Sequence, residues 1–358
     1  MMHILALVTD AFGGFGGIAQ YNRDLLTALA RCDGGNRVVI LPRQGSAPQS
    51  KLPSGVRQLK PRRNKLSYTL AAFRAAMTEG PFSAVFCGHL HMAPLGAAIA
   101  RFLGLPLWLQ LHGVEAWEPI SRSQSWAVQR AALVTAVSRY TRRRFLRYAA
   151  VDPSRIRVLP NTVDGSFAPG PKPEYLTLRH DLRDKKVLLT IGRLAGDEGR
   201  KGHDKVIQAL PAVIVAWPDL VYLIVGTGDD RMRLKALAEQ LGIGKNVMFV
   251  GMVEAHELVD YYRLADLFVM PSMQEGFGIV FLEAAACGLK SIGGNRDGCT
   301  DALADGAIGI TIDPANPDEL VRAITDGLAG RAPDPAPVQR FCFENFARHA
   351  CDLASQFT

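Results

Sequence analysis

Two glutamates eight positions apart, Glu275 and Glu283, mark the segment of the chain with the most chemical content. A strand-like run precedes them, and a helix is predicted to begin near Phe277. The first amides of that helix would point at an anion, because a helix N-terminus carries partial positive charge. A carboxylate accepts hydrogen bonds from adjacent sugar hydroxyls. The segment therefore predicts a pocket for sugar, diphosphate and ribose together.

Two cations lie near the first strand of the same half of the chain. Arg193 is separated by one glycine from the strand-like run Lys186–Ile191, and Lys201 precedes the next helix. Arg offers a planar fork to a phosphate and Lys a point charge, so the two together could clamp a diphosphate. Either cation alone would be interpreted as an ordinary surface charge.

The loop after the first predicted strand holds four glycines and precedes a helix. Glycine lets the backbone approach a ligand closely, and a helix start favours an anion. The spacing Gly14-x-Gly16-x-x-Ala19 also fits a relaxed dinucleotide fingerprint, which requires an acidic residue at the end of the second strand. No carboxylate stands there, so NAD is disfavoured, whereas Arg43 leaves NADP open. A plain tight turn is the alternative.

A histidine, His112, follows the strand-like run Leu107–Leu111 and precedes Gly113. The carboxyl ends of parallel strands are where open α/β sheets bind ligands, so this side chain could reach a binding cleft. A structural histidine held by its neighbours is the other interpretation, and the sequence leaves both open.

The chain has 358 residues, 48% of them hydrophobic, which suits two domains that each bury a core. No apolar run is long enough for a membrane-spanning helix. The apolar start lacks a basic leader and is interpreted as a strand, not a signal peptide. Six scattered cysteines form no C-x-x-C pair, which predicts reduced thiols in a cytosolic protein and no metal site.

The charge is distributed unevenly along the chain. The net charge is +7, with +13 in residues 1–165 and −6 in residues 166–358. The basic half could bind an anionic membrane surface or a phosphate-bearing acceptor. The alternative is an Arg-rich solvated surface, and we expect no nucleic-acid partner.

Short β-branched runs alternate with amphipathic stretches throughout, which is typical of α/β domains whose parallel sheets are covered on both faces. The strand-like runs, about twelve in all, divide naturally into two sheets of about six. Gly and Pro residues over Asp164–Pro173 predict a domain boundary, and Phe341–Phe357 is predicted as a last helix.

Four features together resemble the retaining GT-B glycosyltransferases of family 4. They are the glycine loop, Gly192-Arg193-Leu194, Lys201-Gly202 and Glu275–Glu283. The resemblance implies two Rossmann-like domains whose parallel sheets face each other across a cleft, with the C-terminal helix crossing back to the N-terminal domain. An acceptor-binding domain would take residues 1–165 and 341–358, and a donor-binding domain residues 166–340.

The resemblance also implies roles for the matching residues. The implied catalytic residues are His112, Arg193, Lys201 and Glu275. The implied donor-binding residues are Gly16, Gly17, Arg193, Lys201, Val253, Glu275, Gly276, Phe277, Gly278, Ile279, Val280 and Glu283. Two departures concern the glycine loop, which lacks the acidic residue that many members have, and the stretch Ala195–Arg200, which is longer than in some members.

The implied reaction is transfer of a hexose from GDP-mannose or a UDP-sugar, with retention of configuration, to a lipid-linked or saccharide acceptor. Bacterial exopolysaccharide, lipopolysaccharide or glycolipid synthesis is the implied setting. No metal or cofactor is expected, because the nucleotide sugar is itself a substrate. The implied location is cytoplasmic, peripheral on the inner face of the plasma membrane.

Three other functions remain open on the sequence. Another GT-B enzyme of sugar nucleotides, such as an epimerase, would use a similar donor pocket. An NADP-linked oxidoreductase would use the spacing Gly14-x-Gly16-x-x-Ala19. A non-catalytic binder of sugar nucleotides would keep the pocket and form no product.

Overall fold

The computed structural model describes residues 2–32, 35–46, 51–196, 201–330 and 336–357. The chain divides into an N-terminal unit, Met1–Thr162 with Phe343–Thr358, and a C-terminal unit, Val163–Cys342. Each unit is an α/β domain built on one parallel sheet, which confirms the fold class predicted from the alternation of short apolar runs and amphipathic stretches.

The N-terminal unit contains a seven-stranded parallel sheet with the order β3-β2-β1-β4-β5-β6-β7. Its strands are β1 His3–Val8, β2 Arg37–Pro42, β3 Val56–Gln58, β4 Ala84–Cys87, β5 Leu107–Leu111, β6 Leu133–Ala136 and β7 Ile156–Val158. Its helices are α1 Gly17–Arg31, α2 Lys65–Thr78, α3 Ala93–Leu103, α4 Arg122–Arg130, α5 Arg139–Phe145 and, from the end of the chain, α13 Phe343–Ala354.

Alternation along the strands separates two faces of this sheet. Leu5 and Leu7 of β1 point into a buried cluster that they share with α2, α3 and α4. On the other face, Trp108 of β5 lies 6.0 Å from the ring of Phe357, which follows α13. The sheet is therefore covered on both sides, as parallel sheets require.

The C-terminal helix α13 packs along α1, as the resemblance implied. The rings of Tyr21 on α1 and Phe346 on α13 lie 5.8 Å apart in an edge-to-face contact. A disulfide joins Cys32, next to α1, to Cys351 on α13, with 5.7 Å between their Cα atoms. The expectation that all six cysteines are reduced is wrong for this pair. The two cysteines are 319 residues apart, and only the return of the last helix brings them together.

The C-terminal unit contains a six-stranded parallel sheet with the order β10-β9-β8-β11-β12-β13. Its strands are β8 Lys186–Ile191, β9 Leu220–Val225, β10 Val247–Gly251, β11 Leu267–Met270, β12 Ser291–Gly294 and β13 Ile310–Ile312. Its helices are α6 Glu174–Arg179, α7 His203–Ala216, α8 Arg231–Gln240, α9 Ala255–Leu264, α10 Ile279–Ala286, α11 Cys299–Ala302 and α12 Pro317–Ala329.

The chain order of this sheet sets which loops become neighbours. β8 lies in the interior and its hydrogen-bonded neighbour β11 lies next to β12, so the loops that follow these three strands share the carboxyl edge of the sheet. The strands that end at Ile191, Met270 and Gly294 are almost entirely buried. Rigid strands thus hold the loops that carry the predicted donor-binding residues.

Candidate functional site

The loops at the carboxyl edge of the C-terminal unit bring Lys201 and Glu275 together. The Nζ of Lys201 lies 2.8 Å from Oε2 of Glu275, and about a quarter of each side chain is exposed. A β-carbon on Gly192 would lie 2.8 Å from Cδ of Lys201, so the glycine after β8 leaves room for the lysine stem. Two predicted site residues, 74 positions apart, therefore form one charged pair.

Glu275 also lies against the start of α10. A β-carbon on Gly278 would come within 3.3 Å of Cγ of Glu275. The helix begins at Ile279, not near Phe277 as the sequence predicted. Gly278 precedes it with φ of 95°, a left-handed backbone that cannot continue a helical turn. The loop is thus two residues longer than predicted, and Glu275 stands beside the positive end of the helix.

The predicted backbone contacts of this segment are partly covered. Gly276, Phe277 and Gly278 are buried, whereas Ile279 and Val280 are half-buried. The ring of Phe277 lies 6.0 Å from that of Phe341, so its side chain anchors the loop within the unit. A contact between Phe277 and a donor would therefore come from its amide and not from its ring.

Asp297 is a buried carboxylate that was not predicted from the sequence. It accepts hydrogen bonds from the loop that carries Glu275. Its Oδ2 accepts hydrogen bonds from the amide of Glu275 and the hydroxyl of Ser272, both at 2.8 Å. Its Oδ1 accepts from the amide of Cys299 at 2.9 Å. Burial raises the pKa of Asp297, and its hydrogen bonds to Cys299 and Glu275 act in the opposite direction. Asp297 thereby fixes the main chain from which the Glu275 side chain projects.

The glycine that follows Asp297 completes this support. Its amide, in Gly298, donates to the carbonyl of Glu275 at 2.8 Å. A β-carbon at Gly298 would lie 2.1 Å from the carbonyl oxygen of Gly276, so only glycine allows the two loops to touch. In the sequence, the only signal for this support is an Asp-Gly pair two residues after the buried strand β12, which is a weak one.

Glu283 lies on α10 and is paired with a tyrosine. The hydroxyl of Tyr262 on α9 donates to Oε2 of Glu283 at 2.6 Å. Burial raises the pKa of Glu283 to about 7, and the hydrogen bond from Tyr262 opposes that shift. The ring of Tyr262 is itself buried and packs against Phe167 and Phe268. Near neutral pH this carboxyl therefore gains or loses its proton readily.

The remaining predicted residues of this unit occupy separate positions. Arg193 follows β8 directly after Gly192 and its side chain is exposed. Val253 is half-buried and follows β10, an edge strand two places away from β8. Part of the long stretch that follows Arg193, residues 197–200, lies outside the described residues. The structure therefore assembles Lys201 with Glu275, and it leaves the role of Val253 as a prediction.

His112 in the N-terminal unit is held by its own surroundings. Its Nε2 donates to the carbonyl of Gly88 at 2.9 Å, and its amide donates to the Glu115 carboxylate at 2.5 Å. The ring stands edge-on to Tyr21 at 5.2 Å. Burial lowers the pKa of His112 to about 4, against the opposing effect of the Glu115 charge. The imidazole is therefore neutral at pH 7 and acts as a hydrogen-bonding group.

The glycine loop of the same unit is organised by Asp10 and Arg23, which the sequence analysis did not single out. A β-carbon on Gly14 would collide with the Asp10 carboxylate at 1.8 Å. The guanidinium of Arg23 donates to the carbonyl of Gly14 at 2.8 Å. Gly16 and Gly17 are exposed at the start of α1, and Gly16 has φ of 90°. The loop therefore presents exposed glycine backbone at the start of a helix, where the sequence predicted a glycine loop before a helix.

No cluster of three or more His, Cys, Asp or Glu side chains in the described part of the chain could hold a metal ion. None of the helices formed by the described residues is long and apolar enough to cross a membrane.

Two family models match the chain on either side of its domain boundary. Residues 15–167 match Glycosyltransferase Family 4, and residues 179–337 match Glycosyl transferases group 1. The second range contains the Lys201–Glu275 pair, Asp297 and Glu283. The first contains the glycine loop from residue 15 onward and His112.

Curated relatives include two mycobacterial proteins. A GDP-mannose-dependent alpha-(1-6)-phosphatidylinositol monomannoside mannosyltransferase of Mycolicibacterium smegmatis is 35% identical over 243 residues, which is 64% of this chain and 62% of the relative. A protein of the same name from Mycobacterium tuberculosis is 32% identical over 262 residues, 69% of this chain and 67% of the relative. The chain thus aligns with under two thirds of the first relative's length.

Solved structures share the fold over nearly the whole chain. Anabaena HepE in complex with UDP and glucose superposes with a TM-score of 0.81 at 21% identity, covering 99% of this chain and all of that one. The apo lipopolysaccharide outer core galactosyltransferase WaaB superposes with a TM-score of 0.76 at 19% identity, with the same coverage. These likenesses confirm the GT-B fold that the sequence predicted.

Proposed function

The chain belongs to the family 4 glycosyltransferases. We propose that it transfers a hexose from a nucleoside-diphosphate sugar to a lipid-linked acceptor. GDP-mannose is the donor we put first, because the two mycobacterial relatives are named as GDP-mannose-dependent mannosyltransferases. UDP-sugars remain the other donor class. The observation that carries the proposal is the Lys201–Glu275 pair beside the start of α10.

In the proposed reaction the main barrier is charge separation. Positive character develops on the sugar and negative charge on the departing diphosphate, and fixed donors aimed at developing charge usually make the largest catalytic contribution. Arg193, Lys201 and the first amides of α10 would stabilise the leaving group, so the proposal needs no metal ion. Glu275 would accept hydrogen bonds from sugar hydroxyls, and Glu283 would hold the ribose.

We propose retention of configuration without a covalent intermediate. A retaining hydrolase places a nucleophilic carboxylate close to the anomeric carbon. Glu275 is paired with Lys201 at 2.8 Å, and its amide is fixed by Asp297. Both contacts suit a positioned hydroxyl acceptor better than a free nucleophile. The acceptor hydroxyl would then attack from the side of the leaving diphosphate, which takes up its proton.

His112 would assist from the N-terminal unit as a neutral hydrogen-bonding group. Its Nε2 proton is committed to the carbonyl of Gly88, and its low pKa keeps the ring uncharged. In the proposal its role is to contact the sugar and not to transfer a proton. The basic N-terminal unit would bind the acceptor at the inner face of the plasma membrane.

The test is product analysis with GDP-mannose, UDP-glucose and UDP-galactose against a phosphatidylinositol-type glycolipid, followed by NMR of the new anomeric linkage. Transfer with an unchanged anomeric configuration supports the proposal. Conversion of the donor without an acceptor would favour the epimerase. Binding without any product would favour the non-catalytic binder. Family membership argues against the NADP-linked oxidoreductase, which NADPH oxidation would reveal.

A further inference from the structure

Tyr21 on α1 is a buried aromatic residue to which the proposed reaction gives no role. It is 1% exposed, and its ring stands perpendicular to the His112 ring with 5.2 Å between their centres. The hydrogen bond from Nε2 to the carbonyl of Gly88 holds the imidazole at one point. A point contact leaves the tilt of a ring open, whereas a perpendicular aromatic neighbour favours one orientation. Tyr21 therefore supplies a second contact, which fixes the tilt of His112.

The far end of the Tyr21 ring is held by a buried hydrogen-bond network. The Tyr21 hydroxyl donates to Oε1 of Gln110 on β5 at 2.9 Å. The hydroxyl of Thr135 on β6 donates to the same oxygen at 2.5 Å, and Nε1 of Trp108 donates to that hydroxyl at 2.7 Å. Gln110 and Thr135 are fully buried. A buried network whose members are paired holds them in one arrangement, so Tyr21 is anchored to two strands of the sheet.

The last helix packs against Tyr21 as well. The Phe346 ring on α13 is buried and lies perpendicular to the Tyr21 ring, 5.8 Å away. The disulfide between Cys32 and Cys351 fixes this helix to the end of α1. In a close-packed interior a ring turns only if its neighbours move. The position of α13 therefore bears on the orientation of His112 through Tyr21.

We propose that Tyr21 is a positioning residue, which orients the His112 imidazole for its contact with the donor sugar and is itself held by Phe346. The inference rests on the proposed function, in which His112 contacts the sugar as a neutral hydrogen-bonding group. Because a carbonyl only accepts, the neutral ring carries its proton on Nε2 and leaves Nδ1 as an acceptor. The direction of that acceptor depends on the tilt of the ring. Tyr21 is buried, so it would act only through His112.

The first measurement is NMR of ¹⁵N-labelled histidine rings, in which His112→Gln identifies the His112 signals. In the wild type we expect one neutral tautomer with its proton on Nε2 and a pKa lowered by burial to about 4. Tyr21→Leu removes the aromatic neighbour, so the His112 signals should shift or broaden and its pKa should rise toward the ordinary 6.5. Tyr21→Phe keeps the ring, and Gln110 keeps its bond from Thr135, so the wild-type signals should remain.

The second measurement is steady-state transfer by the same variants. Tyr21→Leu should lower kcat by roughly three- to tenfold, which corresponds to one aromatic pair, whereas Tyr21→Phe should keep the wild-type rate. If Tyr21 acts through His112, Tyr21→Leu should cost almost nothing more in a His112→Gln background. Phe346→Leu should move the His112 signals in the same direction by less, and it provides the test if Tyr21→Leu does not fold.

A matched control is Tyr68→Leu on α2. Tyr68 is also a buried tyrosine, and its hydroxyl donates to the carbonyl of Leu41 at 2.8 Å. It belongs to the cluster that α2, α3 and α4 form with the sheet, on the face away from α13. Its loss should lower the melting temperature, because it leaves a cavity, and should leave the His112 signals and the rate unchanged.

Two results would overturn the inference directly. They are His112 signals in Tyr21→Leu and Phe346→Leu that match the wild type, and a loss of rate in Tyr21→Leu that is equally large in the His112→Gln background. The same change of the His112 signals in Tyr68→Leu would also contradict the inference, because a general loosening of the unit would then explain it. If no nucleotide sugar is transferred, the proposed function fails, and the NMR signals still decide whether Tyr21 positions His112.

Discussion

The two units differ in how their charged residues are arranged. In the C-terminal unit, Lys201 and Glu275 come from different loops and meet at 2.8 Å, above a buried support at Asp297. In the N-terminal unit, the His112 ring donates to the backbone of its own unit, and exposed cations such as Arg63 and Arg74 lie on loops and helix surfaces. In the proposed reaction the donor requires a preorganised site, whereas the acceptor would bind to the N-terminal unit.

The largest effect should come from removing a cation of the C-terminal unit. Lys201→Ala should lower kcat by roughly 10²- to 10³-fold, because the developing charge of the diphosphate loses a fixed donor. Arg193→Ala should act in the same direction with the fold retained. Steady-state kinetics with saturating donor measure the effect, and Lys235→Ala, at an exposed position of α8, is the control. Wild-type rates in both variants would show that neither cation stabilises the leaving diphosphate.

A smaller effect should follow from loosening the support of the Glu275 loop. Asp297→Ala leaves the amides of Glu275 and Cys299 and the Ser272 hydroxyl without their acceptor, so turnover should fall by roughly tenfold to a hundredfold. Ser272→Ala removes only one donor and should cost less. If Asp297 acts through Glu275, Asp297→Ala added to Glu275→Gln should cost little more. A full additional loss would instead indicate a general defect of the fold.

Glu283 should make both stability and donor binding depend on pH. Burial raises its pKa to about 7 from an ordinary value of 4.5. Its contribution to stability, about 3 kcal/mol, is therefore fully present below about pH 4.5 and is lost as the pH rises through about 7. Glu283→Gln stays neutral and should flatten this dependence in denaturant unfolding. The same slope in both proteins would show that another group is responsible.

The ionised form of Glu283 is the better acceptor for ribose hydroxyls. Donor affinity of the wild type should therefore improve as the pH rises through about 7, and Glu283→Ala should weaken it by roughly tenfold. Calorimetric titration across this pH range measures both effects. Glu239→Ala, at an exposed position on α8, is the control. An unchanged affinity in Glu283→Ala would mean that the ribose lies elsewhere.

The smallest effect should come from the histidine of the N-terminal unit. Its pKa of about 4 keeps His112 neutral above roughly pH 5. The pH profile of kcat near neutrality should therefore show no step from His112, and His112→Gln should lower the rate without changing the shape of the profile. A step that disappears in His112→Gln would show that the imidazole transfers a proton.

The candidate site of the C-terminal unit could be predicted in part because its residues follow the ends of strands. Lys201, Glu275 and Glu283 were predicted from residue type and placement, and the structure pairs the first two at the carboxyl edge of the sheet. Asp297 was missed because a single aspartate after a strand has no distinctive spacing. Its role depends on a hydrogen bond to Glu275, 22 residues away in the chain.

Less of the N-terminal unit could be predicted from the sequence, because its distinctive features depend on long-range packing. The disulfide between Cys32 and Cys351 exists only because α13 returns to α1. Strand β3, Val56–Gln58, was not predicted, because two half-buried residues around an exposed arginine give no apolar run. From the sequence alone, α2 is an ordinary apolar helix. Only the structure shows which of its residues are buried against the sheet.

The most direct test of the donor site is a calorimetric titration of the wild type and of Lys201→Ala with Glu283→Ala, using GDP-mannose, UDP-glucose and NADPH. The account predicts saturable binding of at least one nucleotide sugar to the wild type, its loss in the double variant, and no response to NADPH. Binding of NADPH alone, or equal affinity of both proteins for the sugar nucleotide, would contradict a donor site in the C-terminal unit.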